Sequence, residues 1–567
     1  MLIPKQVSLT LPFAATAIAK PFCRCLLGDA CYPTPSDFSH LASQVSQPLL
    51  YPVPPESACY PVSNPSGNCT DVTVNTRVGR WRAEQSGAMQ SPNFETYTFP
   101  NGTISACYLN VTLGVPCEQG SVSVLGVDAR NVGDVQAAVK FAGKFRLRLA
   151  VKNTGHDYLG RSTARGSFML WTHHMKNISY EEAFVPDGAP SGTTHKALTL
   201  GAGVQWYDAY DAAQANGRFI LGGLSAGASV GAAGGWVLGG GHSALSARHG
   251  LGIDNVIQFT VITANGDILT VNSHKNTDLF WALRGGGGGT YGVVISATYL
   301  THDPVPLSAV YFFANFATPE IAQTVVTEYI KIHPILADAG WGGYSFLSRT
   351  DIRFFYVAPN ISAAETNATI SPFFAAAGNA TETQSYIVPF DSFYEWYQAT
   401  FAGGEQVGTN VEMGSRLVPR DIVERNPAKV AQAMLAIEGG VSINFVAGGA
   451  VAKVDPDSTG LNPAWRKALA HVLFTEEWAE GQPASYIREV RKRLQGRLKI
   501  LDRVTPESGA YFNEAFGYEK NPKKTFFGAH YPKLKAIKQK YDRAGLFVVA
   551  DGVGSDDWDN SLNCRRR

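Results

Sequence analysis

The residue best placed to do chemistry is a single histidine in a glycine turn. The turn reads Asn153-Thr154-Gly155-His156-Asp157 and closes with Gly160-Arg161-Ser162. A glycine beside a histidine lets backbone approach a flat ligand closely. Consecutive backbone N–H groups in such a loop cradle a pyrophosphate without any lysine. A longer tract follows, in which residues 222–241 hold nine glycines in twenty positions. Apolar residues interleave these glycines, which excludes a flexible linker. No three-residue period is present, which excludes collagen. Near the C-terminus Tyr511 and Glu514 flank Asn513. A phenol and a carboxylate there are candidates for acid/base work. A Glu beside a buried aromatic ligand is expected to have a raised pKa. Arg416 is a candidate pocket cation, with a surface salt bridge as the competing expectation.

These residues need positioning elements. The pattern predicts strands over 122–127 and 146–151 with a helix over 132–144 between them, and the second strand feeds the His156 turn. A strand over 198–201 and a helix over 206–216 follow. Residues 256–263 and 268–271 predict a hairpin around Asn265-Gly266. Alternating short strands and helices indicate an α/β or α+β lobe. From 304 to about 501 the glycine runs stop and aromatics increase. Strands are predicted over 310–316, 351–357, 441–446 and 468–475, with helices over 319–333 and 485–498. This is a second lobe, a sheet covered by helices, offering a wall for substrate. The tail over 512–554 carries compact motifs again and is expected to return to the first lobe.

Taken in order, these motifs resemble the berberine-bridge-like branch of the vanillyl-alcohol-oxidase/p-cresol-methylhydroxylase flavoproteins, in its fungal form. The resemblance covers about 120–303 and 505–560. It implies an α+β, two-lobed FAD fold with a substrate domain on an antiparallel sheet. It implies cofactor contacts from Asn153, Thr154, Gly155, His156 and Asp157 in the first loop. In the second it implies Gly227, Ser229, Gly231, Gly234, Gly235, His242 and Ile253. Val293 is at the adenosine-contacting stretch, and Asn513 at the isoalloxazine edge. It also implies a covalent bond from His156 to the flavin. Bicovalent relatives add a cysteine near Gly227, but no cysteine lies between Cys117 and Cys564. A single histidyl link is therefore expected. The implied function is a secreted oxidase: hydride passes from a small alcohol or secondary metabolite to FAD, with O2 as acceptor. Glu514 and Tyr511 are the acid/base candidates.

Three rival readings are carried forward. A redox-neutral isomerase or cyclase would keep the flavin fold and use Glu514 as an acid. A binding protein would keep the fold without the chemistry. A serine hydrolase is suggested by two overlapping G-x-S-x-G matches, Gly223–Gly227 and Gly227–Gly231, which composition alone produces in such a tract. A nicotinamide fingerprint is missing, because Gly287–Gly292 runs into a β-rich stretch rather than a helix.

Bulk properties agree. The 567 residues are enough for more than one lobe. Lys+Arg is 48 against Asp+Glu 47, a balance that excludes a nucleic-acid partner. No segment is long and apolar enough for a bilayer, and no obligate protein partner is implied. Residues 1–19 read as a weak secretory signal. Seven of eight cysteines lie before residue 118, and no zinc-ligand spacing or metal site is read, so disulfides are expected. Sequons occur at Asn68, Asn101, Asn110, Asn177, Asn360, Asn367 and Asn379. The expected plan is a signal (1–19), a cysteine-rich extension (20–117), an FAD-binding domain (118–303), a substrate domain (304–504) and a returning C-terminal segment (505–567). The destination is the secretory pathway or beyond.

Overall fold

The structure is a computed structural model and describes residues 22–378, 382–401, 403 and 407–566. The candidate signal at 1–19, the sequon at Asn379 and the terminal Arg567 lie outside the described residues.

The first lobe opens with a parallel three-stranded sheet. Strand β1 (Leu125–Asp128), helix α1 (Val132–Lys144), β2 (Leu149–Lys152) and β3 (Phe168–Trp171) give the order β1-β3-β2. Helix α1 forms because Asn131 caps it, accepting from the Asp134 N–H at 3.1 Å. It buries Val135, Ala138, Val139 and Ala142 along one face against the sheet. The second sheet is antiparallel. It uses β4 (Ile178–Phe184), β5 (His195–Gly201), then, after helix α2 (Trp206–Ala215), β6 (Val256–Ile262), β7 (Ile268–Asn272) and β8 (Val293–Leu300), in the order β4-β5-β8-β6-β7. The predicted hairpin is β6–β7, turned at Gly266, whose φ of 82° needs no Cβ.

The second lobe is one antiparallel sheet of seven strands backed by helices. In chain order its parts are β9 (Leu307–Asn315), α3 (Pro319–Asp338), β10 (Gly342–Leu347), β11 (Asp351–Pro359), α4 (Ala363–Gly378), β12 (Glu382–Phe390), β13 (Asn410–Pro419), α5 (Pro427–Ala436), β14 (Val441–Phe445), β15 (Ala468–Trp478) and α6 (Ala484–Val504). The strand order is β12-β9-β11-β10-β14-β15-β13. Side chains alternate between faces, so the two faces have separate jobs. Phe312, Phe354, Ile443 and Val472 pack with Tyr329, Phe373, Met434 and Leu494 from the four helices. Leu307, Ala309, Tyr344, Val357 and Leu417 share a core with the first lobe. Residues 510–547 also lie against the first lobe, where Lys538 Nζ donates to the Thr290 carbonyl at 2.8 Å. The two-lobed α+β architecture is the one expected.

The N-terminal stretch is more than an extension. Disulfides Cys25–Cys31, Cys59–Cys69 and Cys107–Cys117 close within it, while Cys23–Cys564 joins it to the far end of the chain. Buried Arg24 reinforces that junction, donating to the carbonyls of Leu562, Leu147 and Gly545.

Candidate active site

Strand β2 delivers the first loop. Asn153 Nδ2 donates to the Ala202 carbonyl at 2.9 Å, and Trp171 Nε1 donates to the Asn153 carbonyl at 3.0 Å. Gly155 has φ 80°, and a Cβ there would meet the Ala88 carbonyl oxygen at 3.0 Å. Asp157 shapes the loop: it accepts from the backbone of Leu159 (3.0 Å) and Arg161 (2.5 Å) and pairs with the Arg161 guanidinium. Its carboxylate is engaged within the loop, which it holds in shape. His156 Nε2 lies 2.6 Å from Ser229 Oγ, which bonds the first loop to the glycine tract. Burial lowers the His156 pKa to about 4, against the opposing pull of Glu514.

The glycine tract is held from both sides. Gly227 has φ 72°, and its carbonyl accepts from Arg80 Nε (3.2 Å) and Nη2 (3.1 Å). Gly231 bridges to Gln205, and a Cβ on it would meet Asn153 Nδ2 at 2.3 Å. Gln90 grips the first loop, donating from its backbone to the Gly155 carbonyl (3.1 Å) and from Nε2 to the Thr154 carbonyl (2.9 Å). Arg80 and Gln90 come from the N-terminal stretch, a site contribution that sequence reasoning missed. Ile253 is fully buried and donates to the Gly240 carbonyl, and buried Val293 pairs with Ile262. Both set the shape of the tract rather than offer polar groups.

The C-terminal turn crosses the same tract. Asn513 Nδ2 donates to the carbonyls of Gly235 (2.9 Å) and Trp236 (3.2 Å) and to Tyr511 Oη (2.8 Å). The Tyr511 hydroxyl in turn donates to the Trp236 carbonyl at 3.2 Å. Burial and the nearby Glu514 push the Tyr511 phenol far above its ordinary range, and its hydroxyl helps to hold the turn. Glu514 lies 3.4 Å from His242 Nε2 and 3.5 Å from His471 Nδ1. Burial alone would raise its pKa as expected, but His242, His471 and His156 together bring it below the ordinary value. That reverses the expectation of a raised carboxyl. Burial lowers His471 to about 4. At neutral pH the group is a carboxylate beside a neutral His471 imidazole.

His471 was not singled out from sequence, and neither was Tyr344. Cross-strand register puts both in one row of the sheet: Tyr311, Phe355, Tyr344, Asn444 and His471 are successive partners from β9 to β15. Among the described residues Tyr344 Oη is buried without a hydrogen-bond partner, as are both ring nitrogens of His471 and Nδ1 of His242. Buried polar atoms are normally satisfied, so this wall is built for a polar guest. Strand alternation could have flagged Tyr344 only with β10 in place, and β10 was not predicted. Arg416 points to the opposite face. It is bonded to Asp502 (2.6 Å) and Glu519 (2.7 Å) and does not face the site. A cleft of about 1580 Å³ is lined in part by Tyr158, Leu159 and Ala515, but not by His156, Ser229, Tyr344, His471 or Glu514.

The residues fit a flat, phosphate-bearing cofactor. A Cβ added at Gly234 or Gly235 would meet nothing within 4 Å, so bare backbone borders open space. The Ser229–His156 contact also tests the hydrolase reading. Among the described residues no carboxylate bonds the second ring nitrogen of His156, and a 3-10 turn, not a strand, precedes Ser229. A strand-to-helix elbow and its orienting acid are both missing.

Comparison with known proteins agrees. The family model "FAD binding domain" matches residues 125–272, and "Berberine and berberine like" matches 510–554. An "Uncharacterized FAD-linked oxidoreductase" of Arthroderma benhamiae is 36% identical over 577 aligned residues, covering 96% of each chain. The VAO-type flavoprotein MtVAO615 of Myceliophthora thermophila C1 superimposes with TM-score 0.87 at 27% identity, covering 96% of this chain and 100% of that one. The glucooligosaccharide oxidase of Acremonium strictum, described with a 6-S-cysteinyl, 8α-N1-histidyl FAD, shares the fold at TM-score 0.65 and 22% identity, covering 76% of this chain and 91% of that one. The chain belongs to the FAD-linked oxidoreductases of the vanillyl-alcohol-oxidase, berberine-bridge-like family.

Proposed function

We propose that this protein is a secreted oxidase whose FAD is bonded singly to His156. The carrying observation is geometric: Glu514 lies 3.4 Å from His242 and 3.5 Å from His471, on the turn whose Asn513 bonds the glycine tract that Ser229 ties to His156. When bound, FAD supplies a two-electron acceptor that takes hydride from a substrate C–H and passes the electrons to O2, giving H2O2. The chain's own groups do the rest. Glu514 takes the substrate hydroxyl proton as the hydride leaves. Tyr344 Oη and the open nitrogens of His242 and His471 bind and orient the alcohol. Tyr511 and Asn513 hold the turn that carries Glu514. Ser229 engages Nε2 of His156, which leaves Nδ1 for the flavin bond. With glycine at 227 and no free cysteine among the described residues, a second, cysteinyl bond has no donor.

A carboxylate held low favours a base over an acid, which supports the oxidase over an isomerase or cyclase. Four disulfides support the secretory pathway. The six described sequon asparagines, Asn68, Asn101, Asn110, Asn177, Asn360 and Asn367, are all exposed, as glycosylation requires. Among the described residues no helix is long and apolar enough to cross a membrane. The test is peroxide release and oxygen uptake over a panel of alcohols, sugars and phenolic metabolites. Turnover with neither peroxide nor oxygen uptake would reject this reading.

A further inference from the structure

Among the described residues three groups of side chains could hold a metal ion by proximity: Cys25/Asp29/Cys31, Glu84/His173/His174 and His242/His471/Glu514. The first is a disulfide. In the second the ring nitrogens are engaged: His173 bonds Asn153 and Glu84, and His174 bonds Asp128 and faces Glu84. The third differs. Both nitrogens of His471 and Nδ1 of His242 are buried without a hydrogen-bond partner, and His471 is 0% exposed.

The spacing in this third group is long for a charge-assisted hydrogen bond, which closes to about 2.7–2.9 Å. It fits a shared cation. Zinc binds imidazole nitrogen and carboxylate oxygen at about 2.0–2.2 Å, so neighbouring corners of its tetrahedron are roughly 3.3–3.5 Å apart. Glu514 Oε2 lies 3.4 Å from His242 Nε2 and 3.5 Å from His471 Nδ1, and all three ligand atoms fall within 4.8 Å of one another. Among the described residues Nδ1 of His242 meets no hydrogen-bond partner, and the contacts of His242 Nε2 and of His471 are to Glu514, itself a ligand of the same site. The Glu514 side chain is 26% exposed, which gives an entry path.

We propose that His242, His471 and Glu514 form a binding site for a divalent transition-metal ion of the Zn2+ type, leaving a fourth corner open. Binding occupies the carboxylate that takes the substrate proton, so the ion is a reversible inhibitor; this last clause rests on the oxidase reading, whereas binding itself does not. The ligands lie far apart in the chain, at 242, 471 and 514, which is why no spacing motif betrayed them.

The test uses holoenzyme stripped with EDTA. Calorimetric titration with ZnCl2 at neutral pH is expected to give one ion per chain. Cu2+ in its place should give an EPR spectrum with coupling to two imidazole nitrogens. His242→Gln and His471→Gln should each weaken binding by about tenfold or more. Because the Glu84 cluster also offers two imidazoles, His174→Gln is the deciding control where an active-site variant folds poorly: two-nitrogen coupling that persists in it keeps the ion at His242 and His471. Absence of saturable binding, or of two-nitrogen coupling, would overturn the proposal. So would binding that survives both substitutions or is abolished by His174→Gln, which would put the ion at the Glu84 cluster. A protein that binds Zn2+ as expected yet releases no peroxide with any substrate keeps the metal site and loses the oxidase reading. Peroxide release untouched by Zn2+ binding removes the inhibition.

Discussion

His156 and Ser229 are hydrogen-bonded at 2.6 Å between Nε2 and Oγ. The contact joins two loops seventy-three residues apart in sequence. It leaves Nδ1 as the ring nitrogen available for the covalent bond proposed above.

Removing that anchor should slow attachment without emptying the site. Ser229→Ala is expected to lower the fraction of flavin retained by acid-precipitated protein, while total bound flavin falls less. Equal covalent fractions in variant and wild type would show that Ser229 does not orient the ring.

Glu514 should act as a base with an unusually acidic lower limb. Glu514→Gln is expected to reduce kcat by about 10²–10⁴-fold with a smaller change in KM. Because its folded pKa lies below the ordinary carboxylate value, wild-type kcat/KM should hold as pH falls to about 4.5 and decline only below it. A limb centred near pH 6 would contradict the assignment.

Stability should fall over a different window. Burial lowers His471 to about 4 and His333 to about 3, against about 6.5 in the unfolded chain. Between those values the unfolded state binds more protons, so folding stability rises with pH and is lost as pH falls from about 6.5. Calorimetric Tm measured from neutral to acid pH should drop through that window. A flat or rising Tm on acidification would contradict the burial of these imidazoles.

The glycine loops, helix α1 and the β6–β7 hairpin were readable because local chemistry dictates them: an Asn cap, an apolar face, an Asn-Gly turn. Strands β10, β12 and β13 were missed. Strand β10 begins Gly342-Gly343, which reads as a turn, and edge strand β12 is mostly exposed and lacks clean alternation. With β10 unseen, Tyr344 had no face, and the row from Tyr311 to His471 could not be assembled. The grip of Arg80 and Gln90 on the cofactor loops was equally hidden, since nothing local links residue 80 to residue 227.

Tyr344 offers a clean split between binding and stability. Its buried hydroxyl lacks a partner among the described residues, so Tyr344→Phe should leave Tm unchanged or slightly raised. If the hydroxyl binds substrate oxygen, kcat/KM should fall by roughly threefold to tenfold, corresponding to about 0.5–1.5 kcal/mol. Unchanged kcat/KM would remove Tyr344 from the substrate site.

Cys23–Cys564 should matter for stability alone. Cys564→Ser is expected to cost about 2–4 kcal/mol and lower Tm, with kcat/KM retained because the hydrogen bonds of the junction, from Arg24 to Leu562, Leu147 and Gly545, involve none of His156, Ser229 or Glu514. Loss of turnover at unchanged Tm would contradict this.

The most direct measurement is mass spectrometry of the peptide that contains His156, taken from acid-denatured pure protein. The account predicts that this peptide carries one FAD, and that His156→Ala protein releases all its colour to the acid supernatant. An unmodified His156 peptide in a yellow wild-type preparation, or flavin found on another residue, would contradict it.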